Sequence, residues 1–264
     1  MATHAAMIER MDRGIGRIMD RLKEKGVDDN TLVLFFSDNG ACAEVIEPGW
    51  YDVPSRTREG RAVKVGNRDH AAFAGPDEVW QSYGVPWANV SSTPFRLYKH
   101  FTHEGGIATP FIVRWSAMIR QTNCISRELG HVTDIMATLL EVSGAKRPAS
   151  IEGQTVLPLE GRSLLPVLQG KARSQSSPMF WEHEGNRAVR LQQWKLVARN
   201  KSDWELYDVE ADRTESNNLA SSQPQKVQEM AALYDAWAER CGVVLPEKLP
   251  PERRIVPAQE SKLP

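Results

Sequence analysis

Apolar residues near the start of the chain, Met7, Ile8, Met11, Ile15, Ile18, Met19 and Leu22, recur at three- and four-residue spacing. This stripe predicts an amphipathic helix over residues 5–25, closed by Gly26. After the polar turn Val27–Asn30, the apolar run Thr31–Phe36 has the length of a buried strand and ends abruptly in Ser37, Asp38, Asn39 and Gly40. Periodicity lapses from Ala41 to Ser92, a span rich in Gly, Pro, Arg and Asp. Its Trp50, Tyr51, Trp80, Tyr83 and Trp87 suit a folded loop that forms a wall. Order resumes at Pro94–Lys99. Ile107–Trp115 then reads as a second strand, although Pro110 within it lacks a ladder donor. Val132, Ile135, Met136, Leu139 and Leu140 draw a helix stopped by Gly144. Residues 145–178 carry Pro, Gly and Ser, with a helical turn around Ser163–Leu168. Three short strands follow, Arg187–Leu191, Lys195–Ala198 and Glu205–Val209, as an antiparallel meander. A final helix through Val227, Met230, Tyr234, Trp237 and Cys241 can cover one face of it. The tail from Pro246 is rich in Pro and charge and is expected to lie loosely on the surface.

These elements predict an α/β chain: a mixed, mostly parallel sheet flanked by helices, then a small antiparallel sheet with one packed helix. The division expected is 1–145 for the α/β part, 146–178 for a linker, 179–245 for the small sheet subdomain and 246–264 for the tail. At 264 residues and 41% hydrophobic, the chain can bury a real core. Its net charge of −1 comes from 33 basic and 34 acidic residues with no Lys/Arg block, which argues against a nucleic-acid partner. No apolar run approaches the roughly 20 residues of a membrane span, and MATHAAMIERMD lacks the basic-then-apolar pattern of a signal peptide. Cys42, Cys124 and Cys241 are far apart and imply neither a zinc site nor a disulfide framework.

Asp38 and Asn39, at the mouth of a buried strand, are hard oxygen donors suited to Ca²⁺ or Mg²⁺. Ser-Asp-Asn-Gly is equally good turn chemistry, and these four residues alone leave both readings open. Lys99 offers a compact charge suited to a tetrahedral oxyanion, or it is a solvated surface lysine. Glu104, before two glycines, is expected to bond the backbone of that turn. None of His70, His100, His103, His131 and His183 forms an H-E-x-x-H pair. His103 and His183 each lie beside a carboxylate and a glycine turn, and are retained as candidates for a substrate pocket against a purely structural role. No G-x-S-x-G elbow or Walker loop occurs.

The segments MIERMDRGIGRIMDRL, NTLVLFFSDNG, QSYGVPWANVSSTPFRLYKHFTHEGGIATPFIVRW, DIMATLLEVSGAKRP, EGRSLLP and ELYDVEADRTESNNL, in this order, resemble the C-terminal half of an arylsulfatase-type sulfatase of the alkaline-phosphatase-like superfamily. The resemblance implies calcium ligation by Asp38 and Asn39 and sulfate contact by Lys99, five residues before Glu104. It also implies sulfuric ester hydrolysis, in which the metal polarises the ester and holds a formylglycine hydrate whose oxygen attacks sulfur. Asp38 assists deprotonation, so Asp38 and Lys99 would be catalytic. The partner implied is a small sulfate ester or a sulfated glycan.

None of the cysteine contexts Cys42-Ala-Glu-Val-Ile, Cys124-Ile-Ser-Arg-Glu and Cys241-Gly-Val-Val-Leu matches the C-x-P-x-R motif from which formylglycine is made. The nucleophile and the remaining calcium ligands are therefore expected upstream of Met1, leaving this chain alone inactive. A periplasmic or secreted location stays open for the same reason. Two alternatives stand beside this reading: a phosphodiesterase or phosphonate hydrolase of the same superfamily, and a non-catalytic truncated domain.

Overall fold

A computed structural model describes residues 1–46, 53–66, 74–120, 123–173 and 177–250. Trp50, Tyr51, His70 and the tail beyond residue 250 lie outside the described residues. In chain order the elements are α1 (Ala2–Glu24), β1 (Val33–Phe36), β2 (Lys64–Val65), β3 (Val79–Trp80), α2 (Gly84–Ser92), α3 (Glu104–Ile107), β4 (Phe111–Arg114) and α4 (Thr133–Ser143). They continue with β5 (Ser150–Ile151), β6 (Gln154–Thr155), α5 (Leu165–Leu168), β7 (Met179–His183), β8 (Asn186–Leu191), β9 (Trp194–Ala198), β10 (Glu205–Asp208) and α6 (Pro224–Cys241). Residues cluster into two compact units. One comprises Met1–Gly16, Asn39–Thr109 and Phe180–Pro264; the other comprises Arg17–Asp38 and Pro110–Met179.

The second unit holds β1 and β4, paired antiparallel with Val33 opposite Arg114 and Phe36 opposite Phe111. Pro110 lies just outside β4, where its missing N–H costs the ladder nothing, and its carbonyl accepts from Ser37 N–H at 3.4 Å. The α/β class holds, but the expected predominance of parallel pairing does not appear among the described strands. The only parallel pair there is the short β2–β3. β1 and β4 are joined by the long excursion from Ser37 to Pro110, which permits either sense of pairing, and the returning strand runs in the opposite direction. α4 ends at Gly144, whose φ of 67° supplies the left-handed cap its sequence position predicts.

Buried Asp134 explains the EGRSLLP segment. Its carboxylate accepts from Arg162 N–H at 2.8 Å, His131 N–H at 3.0 Å and the Arg173 guanidinium at 2.9 Å. Thr138 Oγ1 accepts from Leu164 N–H at 2.8 Å. A Cβ on Gly161 would lie 2.1 Å from the Thr133 carbonyl oxygen, so only glycine lets this strap approach α4. What reads as linker is a strap stitched to α4, preceded by the small β5–β6 hairpin.

In the first unit, β7 to β10 form a four-stranded sheet in the order β10-β9-β8-β7. β8, β9 and β10 pair antiparallel, with Val189 opposite Leu196 and Leu206 opposite Leu196. Alternation divides the sheet into two faces. Val189, Leu196 and Leu206 pack with Met230 and Tyr234 of α6, and Phe180 stacks on Trp237 at 5.1 Å. The opposite face carries Ala188, Val197 and Tyr207. β7 was not anticipated from the sequence; its Glu-His end departs from the apolar alternation of a strand. α2 was missed too, because a nine-residue helix with Gly at its start lies inside a glycine- and proline-rich span.

Elsewhere the surface is more apolar. None of the residues of α1 is buried, and Met7, Ile8, Met11 and Ile18 of its stripe are exposed. Among the described residues, no helix is long and apolar enough to cross a membrane.

The α6 face generates a paired prediction. Met230→Ala should destabilise the chain by about 2–5 kcal/mol, since a fully buried side chain is lost from close packing. Tyr234→Phe should be neutral or slightly stabilising, because the Tyr234 hydroxyl is buried without a hydrogen-bond partner among the described residues. Urea unfolding followed by tryptophan fluorescence measures both.

Candidate functional site

β1 hands the chain directly to Asp38, which is exposed, and Asn39, which is half-buried and donates from Nδ2 to the Gly40 carbonyl at 3.3 Å. From there backbone contacts within the first unit tie two sequence motifs together. Gly40 N–H donates to the Gly106 carbonyl at 2.8 Å, and Lys99 N–H donates to the Ala41 carbonyl at 3.0 Å. A Cβ on Gly40 would fall 1.8 Å from the Gly105 carbonyl oxygen, and one on Gly105 2.1 Å from that of Leu97. Glycine is required because main chain packs on main chain.

The turn carrying those glycines is anchored from below. Glu104 does not bond its own turn, as its position beside two glycines suggests. Its carboxylate accepts from Lys195 Nζ of β9 at 3.0 Å and from Arg213 at 3.0 Å. Lys195, with 0% of its surface exposed, also pairs with Glu215 at 2.8 Å, and Glu215 accepts the Glu104 backbone N–H at 2.8 Å. Burial by itself would raise the Glu104 carboxyl, but Lys195, Arg213 and Arg190 outweigh it and hold it down at about 2. A second set lies alongside. Glu205 accepts from Tyr207 at 2.5 Å and from Arg96 at 3.0 Å, and stands 3.4 Å from His103 Nε2. There too burial is overcome, by His103, Tyr207 and Arg96, leaving Glu205 at about 2.

Lys99 is half-buried, and its Nζ donates to Glu44 Oε1 at 3.0 Å. The same oxygen lies 3.3 Å from His100 Nε2, and the Cys42 thiol bonds the other Glu44 oxygen at 3.1 Å. Burial pushes the Cys42 thiol up, and the Glu44 bond adds to it. For Glu44, bonds from Cys42 and Lys99 outweigh burial and set the carboxyl below its ordinary range. On the far side of His100 stand Glu184 Oε2, 3.2 Å from Nδ1, and His183 Nε2, 3.3 Å from the same atom. His183 thus joins the Lys99 neighbourhood. His103 does not: it is fully buried and turned toward Glu205.

The Sulfatase family profile matches residues 1–145, and that of "N-sulphoglucosamine sulphohydrolase, C-terminal" matches residues 95–236. An uncharacterized sulfatase of Schizosaccharomyces pombe is 33% identical over 251 residues, covering 92% of this chain and 44% of its own length. The chain belongs to the sulfatase family. The arylsulfatase of Klebsiella aerogenes is 33% identical over 180 residues, covering 68% of this chain and 37% of its own. The crystal structure of Ps i-CgsB in complex with k-i-k-neocarrahexaose superposes with a TM-score of 0.63 at 21% identity, covering 89% of this chain and 42% of that one. This sulfatase chain therefore spans less than half the length of these relatives.

Sequence reasoning singled out Lys99 and His183 in this sulfatase but missed Glu44, His100 and Glu184 beside them. The only local signal for Glu184 was the dipeptide Glu184-Gly185 just ahead of a predicted strand; in the structure their φ values of 53° and 85° make the tight turn between β7 and β8. Glu44 lies in an aperiodic span and gave no signal.

The buried ion pairs predict an acid-side stability loss. A carboxyl depressed from 4.5 to about 2 in the folded state contributes stability that is present above the unfolded value and lost as pH falls through the folded one. Urea midpoints should therefore drop between about pH 5 and pH 2. Glu104→Gln should start about 1–3 kcal/mol less stable at neutral pH, because Lys195 keeps Glu215 but loses one charge-assisted bond, and should show a shallower decline. Denaturant titrations across that pH range test both statements.

Proposed function

We infer that this chain furnishes the C-terminal part of the catalytic centre of a sulfate-ester hydrolase acting on an aryl sulfate or a sulfated glycan. The carrying observation is the pair of backbone bonds, Gly40 to Gly106 and Lys99 to Ala41, that fixes the segment following Asn39 against the segment carrying Lys99. Membership of the sulfatase family supports the reaction class.

Asp38 and Asn39 offer a carboxylate and an amide oxygen, a donor set that fits a hard divalent cation such as Ca²⁺ in kind. These two residues would hold it. When bound, the ion supplies positive charge that polarises a sulfate ester oxygen. Asp38 is also the carboxylate that would take the proton of an attacking hydroxyl. Lys99 would bind a sulfate oxygen through its ammonium, a compact charge beside which Glu44 stands at 3.0 Å. Glu44 thereby aims Lys99. Half-exposed His183 would meet the organic part of the substrate, whereas buried His103 would act on the site through Glu205. On this reading the nucleophile would be a formylglycine supplied from outside residues 1–264; no cysteine of the chain stands in the C-x-P-x-R motif. Residues 1–145 would then belong to the catalytic domain and 179–245 to its accessory sheet.

A polypeptide joining a formylglycine-bearing N-terminal sulfatase segment to residues 1–264 should hydrolyse an aryl sulfate in a calcium-dependent manner. Within it, Lys99→Ala should lower kcat/KM by about 100-fold through loss of charge stabilisation. Purified residues 1–264 should show no turnover. Sulfate release by that chain alone, or a preference of the joined protein for a phosphonate ester, would overturn the reading.

A further inference from the structure

Three side chains on two different segments of the first unit point their metal-competent atoms at one small volume. His100 Nδ1 is 3.2 Å from Glu184 Oε2 and 3.3 Å from His183 Nε2, and the last two are 4.0 Å apart. Among the described residues, this is the one group of three or more His, Cys, Asp or Glu side chains so gathered. Donors bound at about 2.0–2.2 Å in a tetrahedral zinc site are separated from one another by about 3.3–3.6 Å. The observed separations bracket that range.

The proton inventory makes the convergence informative. Glu44 Oε1 lies 3.3 Å from His100 Nε2, and an ionised carboxylate only accepts, so that ring nitrogen carries the hydrogen. In neutral His100 the Nδ1 lone pair then faces the Glu184 carboxylate and approaches His183 Nε2. A metal ion among the three atoms would engage that lone pair, the carboxylate and the second imidazole together. A ligating histidine whose other nitrogen donates to a carboxylate is the usual outer-shell pattern of a metal site, and Glu44 supplies it.

Two imidazole nitrogens and one carboxylate oxygen select a borderline transition metal over Ca²⁺ or Mg²⁺, which take oxygen ligands. His183 keeps 52% of its side chain exposed, which leaves an entry path and a fourth position for water. Access does not require the protein to open.

We propose that His100, His183 and Glu184 form a three-ligand site for a divalent transition metal of the Zn²⁺ class, separate from the oxygen donors Asp38 and Asn39. The bound ion clamps the Lys99–His100 turn to the β7–β8 hairpin. Because Glu44 Oε1 contacts both His100 and Lys99, occupancy also fixes the direction of the Lys99 ammonium. This inference does not depend on the hydrolase reading, and its test uses no turnover.

Exposed Cys124 and Cys241 would bind zinc adventitiously, so both are replaced by serine in the background chain. Calorimetric titration of Zn²⁺ into that chain at neutral pH should show one saturable site per chain. His183→Ala and Glu184→Gln should each weaken it by ~10-fold or more, with far-UV circular dichroism unchanged. Co²⁺ substituted for Zn²⁺ should give the intense visible bands of a tetrahedral site in the background chain and not in the variants. Should either substitution disturb the fold, His183→Asn gives the same readout from a half-exposed position. Absence of saturable Zn²⁺ binding, or binding that survives these substitutions in folded protein, would overturn the proposal.

Discussion

Lys195 has no exposed surface, and its ammonium is neutralised by Glu104 on one side and Glu215 on the other. Buried charge is tolerable only when its partners are close and themselves bonded, and here the second carboxylate also caps the Glu104 backbone. The consequence reaches far along the chain. Glu104 opens the turn that carries Gly105 and Gly106, Lys195 lies on the central strand β9, and Glu215 follows β10. One charge set therefore decides where the Lys99–Gly106 segment rests on the sheet. Removing Lys195 would leave the Glu104 and Glu215 carboxylates buried without the ammonium between them, so the arrangement favours one placement over its neighbours.

On that foundation the glycines decide how close the next layer comes. Gly40, Gly105 and Gly106 bring three stretches of main chain within distances that a Cβ would forbid. Asn39 and Lys99 consequently belong to segments joined by backbone bonds, which hold position better than side-chain contacts between mobile loops. The polar groups that remain half-open, Lys99, Glu44, His100, His183 and Glu184, collect on top of this layer, where water can reach them.

The two faces of the β7–β10 sheet show how one alternating pattern serves two purposes. Val189, Leu196 and Leu206 meet α6 and are apolar, as strand periodicity anticipates. Their neighbours Arg190, Lys195, Glu205 and Tyr207 point the other way, toward the Glu104 turn. They are half-buried to buried because a second layer, distant in sequence, covers them.

The amino-acid sequence by itself determined the elements whose signals are local: α1, β1, α4, the three strands β8 to β10 and α6. Each declares itself through apolar periodicity and a glycine or polar stop within a few residues. It also determined the motifs that mark Asp38, Asn39 and Lys99, and through them the family. Only tertiary structure decided that β1 and β4 pair antiparallel, that the stretch around EGRSLLP is strapped to α4 by Asp134, and that Glu104 answers to Lys195. It alone gathered Glu44 and Glu184 around His100 and sent His103 inward instead. The physical reason is common to all of these. Each depends on partners dozens of residues apart, and the cost of burying a charge or a backbone group is settled only by what the folded chain brings against it.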